Sequence, residues 1–224
     1  MLQRSVALGD GSVVHVVFSQ RGDGDFVDGS APIGIGPAVA HMWLRQQHRA
    51  DVVVVDGVGE HRGAEADAAV TVAADLPLTI RTADCAPIAI YSSNGVIGAV
   101  HAGWHGVVRG VVGECAEAMR RRGARDLRAI VGPCIHAECY EFGPDDLARV
   151  VAVVGEGAAG VTAGGRRAMN LPAAVASALR RAEVDVDEVV DHCTACEPQQ
   201  FFSHRARAES GRHVMVVWRS GPHG

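Results

Sequence analysis

The sequence predicts an α+β fold, and three observations carry that reading. Stretches of β character and stretches of helical periodicity are interspersed, without the steady strand–helix–strand alternation of a doubly wound sheet. No Gly-x-Gly-x-x-Gly follows a predicted strand, so a dinucleotide-binding unit finds no support. At the centre of the chain, residues 82–106 (TADCAPIAIYSSNGVIGAVHAGWHG) form two apolar, β-branched runs around Ser92-Ser93-Asn94-Gly95. Asn-Gly is a strong hairpin signal, and the adjacent serines predict a loop longer than two residues.

The elements follow in order. Residues 13–18 (VVHVVF) read as a strand, and 21–36 as a Gly- and Asp-rich loop. Residues 37–47 have helical composition, with Pro37 suited to a first turn. A strand is expected over 51–56, a loop over 57–66, and short strands over 68–72 and 78–82. After the hairpin, Gly106 is expected to open a helix. Val107, Val108, Val111, Val112, Cys115 and Met119 fall on one face of it, and arginines 120–122 near its end favour the macrodipole. Residues 127–131 read as a strand, 144–153 and 171–182 as helices, the second with Asn170 as N-cap, and 186–190 and 213–218 as strands. No repeat, linker or compositional boundary divides the chain, so one domain over residues 1–224 is expected.

Composition excludes several function classes. With 224 residues, 48% hydrophobic and 21% charged, the chain is globular and long enough to bury a large core. Aromatics at 4% and a formal charge of −5 argue against a nucleic-acid partner. The N-terminal stretch lacks an uninterrupted apolar core, and no run approaches a membrane span, so a cytoplasmic protein without a membrane partner is expected. In that compartment the six cysteines are thiols or metal ligands.

If the hairpin pairs, Cys85 and His101 come to one end of it, as a metal site or as a nucleophile with its base. His48 stands at another predicted strand edge. Two imidazoles and a thiolate leave a fourth tetrahedral position open, the pattern of catalytic zinc. The same three residues also read as a surface histidine, a small buried hydrophobe and a core histidine, and spacing alone does not choose. Cys134-x4-Cys139 with Cys193-x2-Cys196 offers a rival four-thiolate site. Thioredoxin-like chemistry at 193–196 lacks the helix that should follow. Arg205 and Arg212, set among small polar residues, suit an anion, as do the backbone N–H groups of a helix opening at Gly106.

Taken together, LRQQH (44–48), DAAVT (67–71), TADCAP (82–87), GAVHAGWHG (98–106), VGPCI (131–135), CYEFG (139–143), Cys193-Thr194, FFSHR (201–205) and SGR (210–212) occur in the order of a known family. The chain resembles the laccase-domain proteins, long described as polyphenol oxidases, also known as purine nucleoside phosphorylases with adenosine deaminase activity, and in one branch as a peptidoglycan-editing factor. The resemblance spans roughly residues 16–218. It implies a single layered α+β domain of sheets and helices, related to Cys–His toxin deamidases, monomeric or homodimeric. It also implies zinc, with copper as the alternative, held by His48, Cys85 and His101, and nucleoside and phosphate as the small-molecule partners.

This chain departs from the family pattern at several positions. The segment before His48 is short, and Arg49 stands where glycine is usual. His105 replaces an arginine, His136 a glycine, and His204-Arg205-Ala206 a Tyr-Arg-Arg run. Phosphate would then fall to Arg49, Arg205, Arg212 and the Gly106 amides. Cys85, Asp84, His105 and Cys134 are the candidates for catalytic groups, the last three by position only. Laccase chemistry draws its copper ligands from His-x-His pairs, and none occurs here. The same residues are also compatible with a Cys–His hydrolase that uses Cys85 as nucleophile, and with a metal-stabilised binding module without turnover.

Overall fold

The computed structural model describes residues 1–26 and 34–221. Its strands, in chain order, are β1 (Leu2–Ala7), β2 (Val13–Phe18), β3 (Met42–Trp43), β4 (Val52–Val54), β5 (Ala68–Thr71), β6 (Leu78–Thr82), β7 (Ala86–Tyr91), β8 (Ile97–Ala102), β9 (Arg128–Val131), β10 (Ala159–Val161), β11 (Arg167–Met169), β12 (Asp185–Val189) and β13 (His213–Ser220). The helices are α1 (Trp104–Arg109), α2 (Val111–Arg121), α3 (Pro144–Val154), α4 (Leu171–Arg181) and α5 (His204–Arg207).

Two mixed sheets stack, with strand orders β12-β9-β7-β8-β5-β4 and β1-β2-β13-β6-β3, while β10 and β11 pair as a separate ribbon. The six-stranded sheet is the middle layer, and the period of two along β7 shows why. Ile88 and Ile90 pack with Val111, Cys115 and Met119 of α2, while Ala89 and Tyr91 pack with Val16, Phe18 and Met215 of the five-stranded sheet. A strand covered on both faces must be apolar at nearly every position, which explains the unbroken hydrophobic runs of the central hairpin. Fold class is therefore α+β, as expected. β7 and β8 pair antiparallel with Pro87 opposite His101, and Ser92–Gly95 close the turn with Gly95 at φ 83°.

Two expected helices differ. Residues 37–47 are not helical; within them Met42–Trp43 pairs in parallel with Leu78–Thr79, and Leu44 bridges to Ala64. Met42 and Leu44 are buried and Trp43 only partly so, a strand-like alternation that tertiary pairing imposes on helix-forming residues. The helix expected from Gly106 instead starts at Trp104, capped by Gly103, and breaks at Gly110 (φ 85°) before α2. Its apolar face survives the break, since Val107, Val111, Val112, Cys115 and Met119 are all buried. The ribbon β10–β11 and the edge strand β1 were not expected at all.

Candidate functional site

The site is built around a buried carboxylate at the start of β5. Asp67 is fully buried. Its Oδ2 accepts the backbone N–H groups of Gln47 (3.0 Å) and Arg49 (2.8 Å), and its Oδ1 accepts that of His48 (2.9 Å). These bonds pin the loop between β3 and β4, with His48 held at φ 56° in the left-handed region. The same Oδ1 lies 2.8 Å from Nδ1 of His101, and the His101 N–H donates to the Asp67 carbonyl, also at 2.8 Å. Burial alone would raise the Asp67 carboxyl, but the His101 hydrogen bond and the backbone donors outweigh it and hold the group below its usual range.

Cys85 enters from the start of β7. Asp84 before it is left-handed (φ 92°), and its carboxylate accepts from Thr194 Oγ1 and from the Arg205 N–H, each at 2.7 Å, while its carbonyl accepts from the Ile135 N–H. The thiol stands 3.8 Å from His48 Nε2. One donor atom each from His48, Cys85 and His101 lies within 4.8 Å of the others, so the structure brings the three candidate ligands together. Gly103 makes room: a Cβ there would stand 2.8 Å from Cys85 Sγ and 2.9 Å from His48 Cδ2.

The donor set fits a transition metal. Asp67 engages His101 at Nδ1, which leaves Nε2 as the ligand atom, the usual carboxylate–histidine–metal order. Burial pushes the Cys85 thiol up, but the charge and hydrogen bond of His101, helped by His48, pull it down to about 6. For His101, burial acts downward and is outweighed by the Cys85 and Asp67 charges, which raise it to about 9. A thiolate beside two imidazoles is what a soft or borderline cation requires.

These residues open into a cleft of about 850 Å³. Four arginines line it (Arg81, Arg109, Arg205 and Arg212), with His105 and His204 at the rim and Trp104 and Tyr140 as aromatic walls. Arg109 donates to the His48 carbonyl at 2.6 Å, and the Arg205 guanidinium stacks 4.8 Å over the Tyr140 ring. His105 stacks on Trp104 at 3.6 Å between ring centroids; burial, then the charges of Arg109, His48 and Arg149, lower its pKa.

Not every expected residue reaches the cleft. Arg49 is exposed and absent from the lining. Gly106 lies inside the first turn of α1 rather than opening it, and is packed against Val111, the Arg49 carbonyl and the His101 carbonyl. Cys134 is buried outside the lining, its thiol pushed well above the ordinary range first by burial and then by Cys193 and Cys85. Asp84 reaches the cleft with both carboxylate oxygens already accepting hydrogen bonds. Asp67, Arg81, Arg109 and Tyr140 were given no role from the sequence. Only DAAVT (67–71), among the motifs that carry the resemblance, points to Asp67.

Comparison with known proteins shows the family. The family model described as multi-copper polyphenol oxidoreductase laccase matches residues 31–220. This chain belongs to that family. Laccase-domain relatives named purine nucleoside phosphorylase include one from Mycobacterium tuberculosis, 35% identical over 84% of this chain and 76% of the relative. Another, from Xylella fastidiosa, is 38% identical over 81% of this chain and 73% of its own length. Among solved structures, the Bacillus licheniformis hypothetical protein YfiH superposes with a TM-score of 0.80 at 22% identity, covering 92% of each chain. YlmD from Geobacillus stearothermophilus gives 0.76 at 22% identity, covering 94% of this chain and 93% of its own. These establish the laccase-domain fold. The family description speaks of several coppers, yet among the described residues no potential metal group holds more than two histidines.

Proposed function

We propose that this laccase-domain chain is a zinc-dependent purine nucleoside phosphorylase that cleaves adenosine- and inosine-type nucleosides and also deaminates adenosine. The observation that carries the reading is the cleft itself. In a chain of net charge −5, four arginines gather around one thiol–imidazole centre between two aromatic walls, with Asp84 as the sole carboxylate among the described residues of the lining. Guanidiniums suit phosphate, and an aromatic lining suits a purine, although here His105 stacks on Trp104 and Arg205 lies over Tyr140. The names of the curated relatives point the same way.

Phosphorolysis forms a bond from a phosphate oxygen to C1′ and breaks the glycosidic bond, whose electron pair leaves with the purine; the purine takes up a proton. Arg205 and Arg212 hold the phosphate and Arg109 helps, while Asp84 keeps the Arg205 backbone in place through the bond to its N–H. His105, at the rim and low in pKa, is the group best placed to exchange a proton with the base; Cys134, outside the cleft, is not. His48, Cys85 and His101 would hold a zinc ion, which would supply Lewis-acid polarisation in the cleft. Asp67 orients His101 for that role and keeps its Nδ1 proton. The test is chromatography of adenosine incubated with and without phosphate: adenine should form only with phosphate, and inosine in either case.

A second reading rests on the depressed Cys85 thiol, which together with His101 resembles the thiolate–imidazolium pair of a cysteine hydrolase. If zinc engages the thiol, alkylation of the loaded protein is slow and chelation abolishes activity. Rapid alkylation and indifference to chelator favour the hydrolase.

A further inference from the structure

A second cluster of soft ligands lies behind the cleft wall, apart from His48, Cys85 and His101. The backbones of Cys134 and Cys193 form an isolated bridge, with Thr194 N–H donating to the Cys134 carbonyl at 3.1 Å. That bridge lays the turn at 193–196 against the short 3-10 turn at Ala137–Cys139. Three sulfurs converge as a result. Cys139 Sγ is 3.0 Å from Cys196 Sγ, and both lie within 4.8 Å of Cys193 Sγ. Glu138 Oε1 stands 3.6 Å from Cys196 Sγ, and a Glu138 carboxylate oxygen, a His136 ring nitrogen and Cys193 Sγ lie within 4.8 Å of one another.

We infer that Cys139, Cys193, Cys196 and Glu138 form a second, structural zinc site. Zn–S bonds of about 2.3 Å place tetrahedral sulfurs about 3.8 Å apart, a spacing that falls between the 3.0 Å of the Cys139–Cys196 pair and the 4.8 Å that bounds the cluster. Three thiolates and a carboxylate close a tetrahedron, which is the structural rather than the catalytic pattern. Cys134, the fourth member of the four-thiolate set considered from the sequence, contributes its backbone to the bridge and lies outside the sulfur cluster.

The location gives the site a purpose. Cys139 precedes Tyr140, one of the cleft walls, and Thr194, inside the Cys193–Cys196 turn, donates to Asp84 beside Cys85. Arg207 donates to the carbonyls of Thr194 and Ala195, so the turn is already braced on its other side. Zinc would tie the loop that leads to the cleft residue Tyr140 to the turn whose Thr194 braces Asp84. The thiol pair Cys139–Cys196 could instead close as a disulfide, but that step requires an oxidant to take up two electrons and two protons.

The test counts zinc per chain by mass spectrometry in protein made with zinc and purified reduced without chelator. Cys139→Ser and Cys196→Ser should each lose about one equivalent relative to the parent. Cys85→Ser should lose a different one, so that Cys85→Ser/Cys196→Ser loses both. Each site is counted by its own variant, so failure of the catalytic-site reading does not touch this one. Where a variant folds poorly, cobalt loaded into the Cys85→Ser protein supplies a second readout: an intense near-ultraviolet thiolate-to-cobalt band, abolished by blocking the exposed Cys196 thiol. Unchanged zinc in both Cys139→Ser and Cys196→Ser, or a Cys139–Cys196 disulfide in the reduced preparation, overturns the inference.

Discussion

The Asp67 carboxylate and the His101 imidazole meet at 2.8 Å, both almost wholly buried, and the same carboxylate receives three successive backbone N–H groups of the loop that carries His48. One side chain therefore sets the position of two candidate metal ligands. Asp67→Asn turns an acceptor into a donor that faces other donors. A buried polar group left unsatisfied costs about 1–3 kcal/mol, so urea denaturation should show a loss of that order or more. Metal affinity, measured by chelator competition, should fall about 10–100-fold, as is typical of ligand-orienting partners. Unaltered affinity in a folded Asn variant would show that His48 and His101 hold their places without it.

Gly103 offers a steric test. Its absent Cβ would lie 2.8 Å from Cys85 Sγ, so Gly103→Ala should displace the thiol and cut both metal content and turnover, by about tenfold or more in turnover. Gly113, exposed within α2 and with nothing within 4 Å of its Cβ position, is the control: Gly113→Ala should stabilise by about 0.5–1 kcal/mol and leave metal alone. Equal metal content in the two alanine variants would count against the packing described at Cys85.

His213 predicts how stability responds to acid. Burial, reinforced by the charge of Arg21, lowers its pKa to about 4, and the neutral ring accepts the Phe202 N–H at Nε2. The unfolded histidine titrates near its ordinary value of about 6.5. Between those two values the unfolded chain binds a proton that the folded chain refuses, so stability present at neutral pH is lost as pH falls, at up to about 1.4 kcal/mol per pH unit. Denaturation midpoints of the parent and His213→Gln, followed from pH 7 to pH 4, should diverge, the Gln variant showing the flatter profile. Parallel profiles would assign the acid sensitivity elsewhere.

How much of this was legible beforehand depends on the kind of signal. The β7–β8 hairpin was readable because burial on both faces leaves an unbroken apolar run, and Asn94-Gly95 marks its turn. His48, Cys85 and His101 were readable only as members of a family pattern, since ligands from three separate elements leave no short spacing. Asp67 stands in the family motif DAAVT, yet its role did not show: a single acid before a strand looks like any loop residue until its four N–H partners are seen. Arg109 was hidden because it lies at the exposed end of a helix expected to begin later than it does. Residues 37–47 misled because composition reports local preference, and Met42 obeys its pairing with Leu78 instead.

His105 shares the cleft with Arg109, Arg205 and Arg212, so besides the proton exchange proposed for it, its own protonation should bear on phosphate binding there. Burial first, and then the neighbouring Arg109, His48 and Arg149, push its pKa below the ordinary value against the pull of Asp146, so His105 is neutral in neutral solution. Phosphate binding should therefore weaken as pH rises toward neutrality, more steeply than phosphate ionisation alone explains. His105→Arg should flatten the phosphate KM profile while leaving zinc content unchanged. Identical profiles for the two proteins would remove His105 from the anion site.

The central claim is that the zinc-loaded cleft transfers a ribosyl group to phosphate. The direct measurement is phosphorus NMR of adenosine and phosphate incubated with the zinc-loaded protein, in parallel with Cys85→Ser. A ribose 1-phosphate resonance should grow in step with adenine for the parent protein and stay absent for the variant. Adenosine left uncleaved, or adenine released with no ribose 1-phosphate, in protein confirmed to be fully zinc-loaded would contradict the account.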